Sequence, residues 1–296
     1  MSTPPFLDLP ESARRVDLAT SRGPLAGVRI DPAADVEPRG TVVLVPGFTG
    51  SKEDFIAVLE PLAARGWTVV TFDQRGQFES SGPDDESAYS LALLARDLLD
   101  VVSGLAAPVH LVGHSFGGLV AREAVLASGG ASVASLTLLC SGPGPLPASH
   151  HESLGGLHAA LPHVPLQVIY DVKESQDREA GIPTPAPDIA EFLHRRFVAA
   201  NPYHVRAVAG ILLDTPDRTG ELAALARDGL PVAVAFGPAD DVWPPSVQQG
   251  VADAVGARVV VIEGTGHSPA AEAPAAAAEA LDVLLQSLSA GVATPP

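Results

Sequence analysis

One short stretch narrows the possible folds more than anything else in the chain. Residues 109–120 read Val-His-Leu-Val-Gly-His-Ser-Phe-Gly-Gly-Leu-Val, an apolar run that ends in Gly113-His114-Ser115-Phe116-Gly117 and continues into a helix-compatible pattern. A serine at the apex of so sharp a strand-to-helix turn must hold a strained backbone conformation. The flanking glycines remove Cβ atoms that would collide across the turn. The hydroxyl then stands clear of the sheet, at the positive end of the following helix. Ser115 is therefore the candidate nucleophile.

The chain around this turn alternates between two periodicities. Residues 16–20 and 25–30 read as short strands, and 41–45 is a continuous β-branched run, as in a strand buried on both faces. Ser51 and Asp54 fit a capping box before a helix that runs to Arg65-Gly66. Residues 68–72 form the next strand, and Leu91, Leu94, Leu98, Leu99 and Val102 have helical spacing. After the Ser115 turn and its helix, 133–140 is again a strand. The order strand, helix, strand, helix predicts an α/β protein with a mostly parallel twisted sheet and helices on both faces.

The rhythm breaks over 145–228. Proline and histidine punctuate 145–188, and helical patterns follow at Ile189, Phe192, Leu193 and Phe197, then Val205, Val208 and Leu212, then Leu222 and Leu225. An insertion of this length inside a regular sheet reads as a helical lid. The division is then 1–144 as the first part of the core, 145–228 as the lid and 229–296 as the second part. In that last part, 232–236 and 258–262 are strands, and helices lie around 247–255 and through Leu281, Leu284, Leu285 and Leu288. Residues 1–14 read as a loose leader and 290–296 as a tail.

A serine hydroxyl needs a base, and the base needs an orienting carboxylate. Both should lie where later strands end. After 232–236 come Asp240 and Asp241, two carboxylates that could also cap the next helix. After 258–262 comes Gly264-Thr265-Gly266-His267, and His267 is the only histidine beyond residue 204. For the oxyanion of acyl transfer, the backbone N–H of Phe116 is one donor, and the N–H of Phe48, in the loop after 41–45, is the other.

These segments together resemble the α/β-hydrolase family, in its lid-bearing esterase-like branch, from about Gly40 to Ser289. Gly113-His114-Ser115-Phe116-Gly117-Gly118 is similar to the family's elbow. Gly237-x-x-Asp240 is similar to its acid turn, and Gly264-x-Gly266-His267-x-Pro269-x-x-Glu272-x-Pro274 to its histidine loop. The resemblance implies a triad of Ser115, Asp240 and His267, and favours Asp240 over Asp241. Asp73-x-Arg75-Gly76 matches a loop beside the site that is usually structural. The chain departs from the pattern twice. Pro46 stands where the oxyanion loop usually opens with histidine, so a side-chain brace of that loop is missing. Phe78 stands where a glycine is expected, which makes it a candidate pocket residue.

The resemblance and the residues imply a serine hydrolase acting on a small to medium, largely apolar ester through an acyl-enzyme. Hydrolysis of a carbon–carbon bond in a diketone-like substrate shares the triad. Thioester or amide cleavage and peracid formation are further options. A ligand-binding protein on the same fold is the alternative of another class. Phe192, Phe197, Leu212 and Leu213 in the lid, with Trp243, join Phe78 as candidate substrate-binding residues. No metal or organic cofactor is expected, and the histidines at 150, 151, 158 and 163 lack metal-ligand spacing.

Charge limits the partners. The net charge of −17 argues against nucleic acid or an anionic membrane surface. No apolar stretch approaches the roughly 18 residues that span a bilayer. The N-terminal stretch has no basic region leading into an apolar core, so a cytoplasmic monomer or homodimer acting on a small molecule is expected. The single cysteine, Cys140, ends an apolar run and reads as a buried structural thiol.

Overall fold

The computed structural model describes residues 2–289. Val42, Val43, Leu44 and Val45 are wholly buried, as their β-branched run requires, and they place β3 (Gly40–Val45) in the middle of the sheet. The other strands are β1 (Ala13–Leu18), β2 (Leu25–Ile30), β4 (Trp67–Phe72), β5 (Val109–His114), β6 (Ser135–Leu139), β7 (Val232–Phe236) and β8 (Arg258–Val261). Their order across the eight-stranded sheet is β1-β2-β4-β3-β5-β6-β7-β8. β1 and β2 pair antiparallel with their neighbours. From β4 to β8 every pairing is parallel, so the carboxyl ends of β3, β5, β6, β7 and β8 share one edge. The register puts Val45 beside Gly113 and His114 beside Leu139.

Helices α1 (Ile56–Ala63), α2 (Leu91–Ser103), α3 (Phe116–Ser128), α9 (Pro245–Val255) and α10 (Pro274–Ser289) cover the sheet. Each does so with its apolar stripe, as Leu94, Leu98, Val101 and Val102 do on α2. Between β6 and β7 lie α4 (His151–Ala160), α5 (Leu166–Glu179), α6 (Pro187–Val198), α7 (Pro202–Leu213) and α8 (Thr219–Arg227). The spacing of 145–188 did not predict α4 or α5. Gly155-Gly156 sits inside α4, and each glycine costs a helix about 1 kcal/mol relative to alanine. Pro162 and Pro165 separate the two helices. α8 packs on α3 and α9 and buries Leu222 and Ala223. It completes the crossover between the parallel strands β6 and β7.

Residues 2–14 are not a loose leader. Ala13 and Arg14 belong to β1. Leu9 packs on the main core, and Leu7 packs against Ile189, Phe192 and Leu193 of α6. Two leucines spaced among prolines and polar residues show no periodicity, which hides this packing from the sequence. The tail at 290–296 lies outside the described residues.

His204 on α7 gives the fold a measurable dependence on pH. Its ring is fully buried and stands edge-on to Tyr89, 5.4 Å between centroids. Burial pushes it down to about 3, against a small opposing pull from the Arg75 backbone, which stays outside hydrogen-bond geometry. In the unfolded chain the imidazole titrates near about 6.5. Below that value the unfolded state takes up a proton that the folded state refuses, so stability present above it is lost as pH falls toward about 3. In His204→Phe that loss should disappear. The variant should gain on the wild type by at most about 1.4 kcal/mol per pH unit between about pH 6 and pH 4. Urea unfolding of both proteins across this range checks it; a constant difference would contradict the buried neutral ring.

Candidate active site

Ser115 follows β5 directly and caps α3 with φ 55° and ψ −122°, the strained turn its flanking sequence demands. A Cβ on Gly113 would lie 2.4 Å from the Gly117 carbonyl oxygen, and one on Gly117 would lie 2.3 Å from that of Val45. Neither position tolerates a side chain. The Ser115 N–H donates to the Leu139 carbonyl at 2.9 Å, and the Ser141 hydroxyl donates to the Ser115 carbonyl at 2.8 Å. The strained residue is thus fixed from β6 as well as from its own strand.

The loops after β7 and β8 bring Asp240 and His267 to this serine. His267 Nε2 is 3.0 Å from Ser115 Oγ, and His267 Nδ1 is 2.9 Å from Asp240 Oδ1. With Nδ1–H donated to the carboxylate, Nε2 is the nitrogen left to accept the serine proton. Asp240 Oδ1 also accepts the N–H of Val242 at 2.9 Å, and Oδ2 accepts the Gln248 amide at 2.8 Å. Burial works to raise the Asp240 carboxyl, but His267 and these donors outweigh it and hold the group below the usual carboxylate value. Glu272 accepts the Ser268 N–H at 2.8 Å and the Gly266 N–H, which ties down the loop on both sides of His267.

His114 plays a different part. Its Nε2–H donates to the His267 carbonyl at 2.7 Å, and burial pushes the ring down to about 3. It is a neutral brace for the backbone of His267. The nearby Asp241 is exposed, and its carbonyl accepts from His150 at 3.1 Å. Cys140 is buried at φ 48° with its thiol 3.7 Å from the Gly266 carbonyl. Cys140, Asp240 and His267 lie within 4.8 Å of one another. This donor set does not fit a metal: carboxylate and imidazole are bonded to each other, and burial pushes the thiol well up, away from its ligating form.

The loop after β3 closes the other side. A Cβ on Gly47 would lie 3.1 Å from Ser115 Cβ, so glycine lets this backbone approach the serine. Gln77 Nε2 donates to the Gly47 carbonyl at 2.7 Å and the Phe48 carbonyl at 3.0 Å, and Gln74 Nε2 donates to the Pro46 carbonyl at 2.8 Å. Among the described residues, no protein acceptor bonds the N–H of Phe48 or of Phe116.

A cavity of about 530 Å³ opens over Ser115 and His267, walled by Phe48, Thr49, Leu146, Leu212, Val242 and Trp243. Of the expected pocket residues, Leu212 and Trp243 face it. Phe78, Phe192, Phe197 and Leu213 do not line it. Phe78, at φ 32°, stacks edge-on against Phe192 at 5.6 Å between centroids. Phe197 packs with Leu161, Leu166 and Val205 in a small cluster of its own, and Leu213 packs against the main core. Asp54, Asp241 and Glu272 also border the cavity, and among the described residues no lysine or arginine does.

The sequence profile of the alpha/beta hydrolase family matches residues 42–280, most of the chain. The chain belongs to that family. Within it, the chain is 38% identical over 99 residues to the protein named "Putative carbamate hydrolase RutD" of Variovorax paradoxus, covering 33% of this chain and 36% of that one. It is 39% identical over 121 residues to "Probable oxidoreductase EphD" of Mycobacterium tuberculosis, covering 40% of this chain and 20% of that one. The matches thus span about a third and a fifth of these relatives' own length. Among solved structures, a thermophilic esterase from Thermogutta terrifontis superposes with a TM-score of 0.71 at 24% identity, over 93% of this chain and 99% of that one. At that identity the likeness is one of fold.

Three residues of this alpha/beta hydrolase were missed by sequence reasoning. Gln248 is fully buried on α9 and bonds both Asp240 and the Trp243 carbonyl. A glutamine on the otherwise apolar inward face of that helix was a usable signal. Gln74 and Gln77 flank Arg75-Gly76 and gave no signal, because their partners are backbone carbonyls about thirty positions away in the chain. Arg75 itself bonds buried Asp97 at 2.8 Å, a structural tie. Among the described residues no helix is long and apolar enough to cross a membrane.

Proposed function

We propose that this alpha/beta hydrolase cleaves small to medium, uncharged esters through an acyl-enzyme on Ser115. The observation that carries the reading is the continuous chain Ser115 Oγ, His267, Asp240, with links of 3.0 and 2.9 Å, beside two N–H groups without protein acceptors. Ser115 Oγ attacks the ester carbonyl while its proton passes to His267 Nε2. The carbonyl oxygen becomes an oxyanion facing the N–H groups of Phe48 and Phe116. As the intermediate collapses, the carbon–oxygen bond to the alcohol breaks and His267 protonates the departing oxygen. Water then loses a proton to the same nitrogen and attacks the acyl group, and Ser115 is restored. The relative named as a carbamate hydrolase supports hydrolysis. The match to the oxidoreductase covers too little of that protein to bring redox chemistry here.

The cavity wall supports the uncharged substrate. Leu146, Leu212, Val242 and Trp243 offer apolar surface, while the Asp241 and Glu272 carboxylates disfavour an anion. The segment carrying α4 to α7 acts as a lid that shapes this wall through Leu146 and Leu212, whose backbones are joined at 2.8 Å. A fluorophosphonate probe should label wild type and fail to label Ser115→Ala; a folded wild type that resists the probe would favour the non-catalytic binder. In a panel of p-nitrophenyl esters, neutral acyl chains should be cleaved well and carboxylate-bearing ones poorly. Leu212→Ala should move the preferred chain length upward, and an unchanged preference would remove Leu212 from the pocket.

A further inference from the structure

We infer that Gln77 is the positioning residue of the oxyanion site, taking the place of the histidine brace that Pro46 excludes. The inference rests on the serine-hydrolase reading above. Three successive carbonyls, Pro46, Gly47 and Phe48, are gripped from one side by the amides of Gln74 and Gln77. The bond between Gly47 and Phe48 is not among the cis peptides. In a planar trans peptide the C=O and the next N–H point in opposite directions. Holding the Gly47 oxygen toward Gln77 therefore turns the Phe48 N–H away from it. The opposite side is the cavity that Gly47, Phe48 and Ser115 line together.

The Gln77 amide is itself fixed. Its Oε1 accepts the Gln74 N–H at 2.9 Å, which leaves Nε2 to donate to both carbonyls. Its backbone is pinned in the tight turn by Gln77 N–H to the Gln74 carbonyl and Ser80 N–H to the Gln77 carbonyl, each at 2.8 Å. The side chain is almost wholly buried, so water does not compete for these bonds. The Gly47 carbonyl has one other donor, the Gly50 N–H at 3.3 Å, a longer bond from within the same loop. Without Gln77 the peptide is free to rotate, and an oxyanion loses a donor it would otherwise meet already oriented.

The test compares wild type, Gln77→Leu and Gln77→Glu on a neutral ester and with a trifluoromethyl ketone, whose serine adduct carries an oxyanion. Gln77→Leu removes the donor. Gln77→Glu keeps the shape and the acceptor for the Gln74 N–H, but offers the two carbonyls a carboxylate. Both should lose kcat by on the order of 10²-fold with KM little changed, the loss typical of one oxyanion donor. Ketone affinity should fall by the same factor as kcat/KM. A purely structural role would lower Tm and leave the ratio of ketone affinity to KM unmoved. The inference fails if either folded variant keeps wild-type ketone affinity, or if kcat falls with that affinity intact. The underlying reading fails separately, if Ser115→Ala retains esterase activity or wild type forms no ketone adduct.

Discussion

Ser115→Ala should lower kcat on a neutral ester by on the order of 10⁴ to 10⁶, and His267→Ala by a similar factor. The double variant should be little worse than the worse single one. The expectation follows from the 3.0 Å link between Ser115 Oγ and His267 Nε2. Proton loss and nucleophilic attack are one event, so removing either participant removes the whole step. The histidine at 114 cannot serve as a substitute base for His267. Its Nε2 is committed to the His267 carbonyl, and burial disfavours its protonated form. The residual rate then reflects binding and the oxyanion donors alone. Steady-state kinetics of the two single variants and the double decide the matter. Losses that multiply would mean that the two residues act in separate steps.

The parts of this site that the sequence revealed are those with local requirements. Gly113 and Gly117 are dictated by backbone atoms within a few residues or in the adjoining strand, so the turn around Ser115 announces itself. Asp240 and His267 stood out as candidates because a parallel sheet sends its strand ends to one edge, and only a few polar residues stand at those ends. Asp240 was separated from Asp241 by family resemblance, not by any property of the two residues. Gln74 and Gln77 were beyond reach in another way. An amide that bonds a distant carbonyl leaves no periodic trace in its own neighbourhood. The helices between β6 and β7 misled for a related reason. Phe192 and Phe197 are apolar at helical spacing whether they face a ligand or each other's neighbours, and here they pack against Leu7, Phe78, Leu161 and Val205. Phe78 looked like a pocket residue because it replaces a glycine. The structure instead holds it at positive φ and turns its ring onto Phe192.

Asp240→Asn should lower kcat by on the order of 10⁴, the effect of the equivalent change in well-studied triads, whereas Asp241→Asn should change it by no more than a few-fold. The two carboxylates are adjacent in sequence and opposite in circumstance. Asp240 is buried, and its two oxygens meet only donors: His267 Nδ1–H, the N–H groups of Val242 and Trp243, and the Gln248 amide. An asparagine can present one oxygen and one NH₂ to these partners. If the NH₂ faces His267, two donors oppose each other until the imidazole shifts its proton to Nε2, and Nε2 can then no longer accept from Ser115. If the NH₂ faces Gln248, the clash moves there, and the imidazolium formed in the transition state still loses its countercharge. Both arrangements damage the proton transfer while leaving the side-chain volume nearly unchanged. Asp241 is exposed, and among the described residues only its main-chain carbonyl is engaged, by His150. Its amide variant keeps that contact. Measuring kcat and KM for both variants at one fixed pH, with Tm to show that each is folded, separates the two roles. Equal losses, or a larger loss from Asp241→Asn, would take the orienting role away from Asp240.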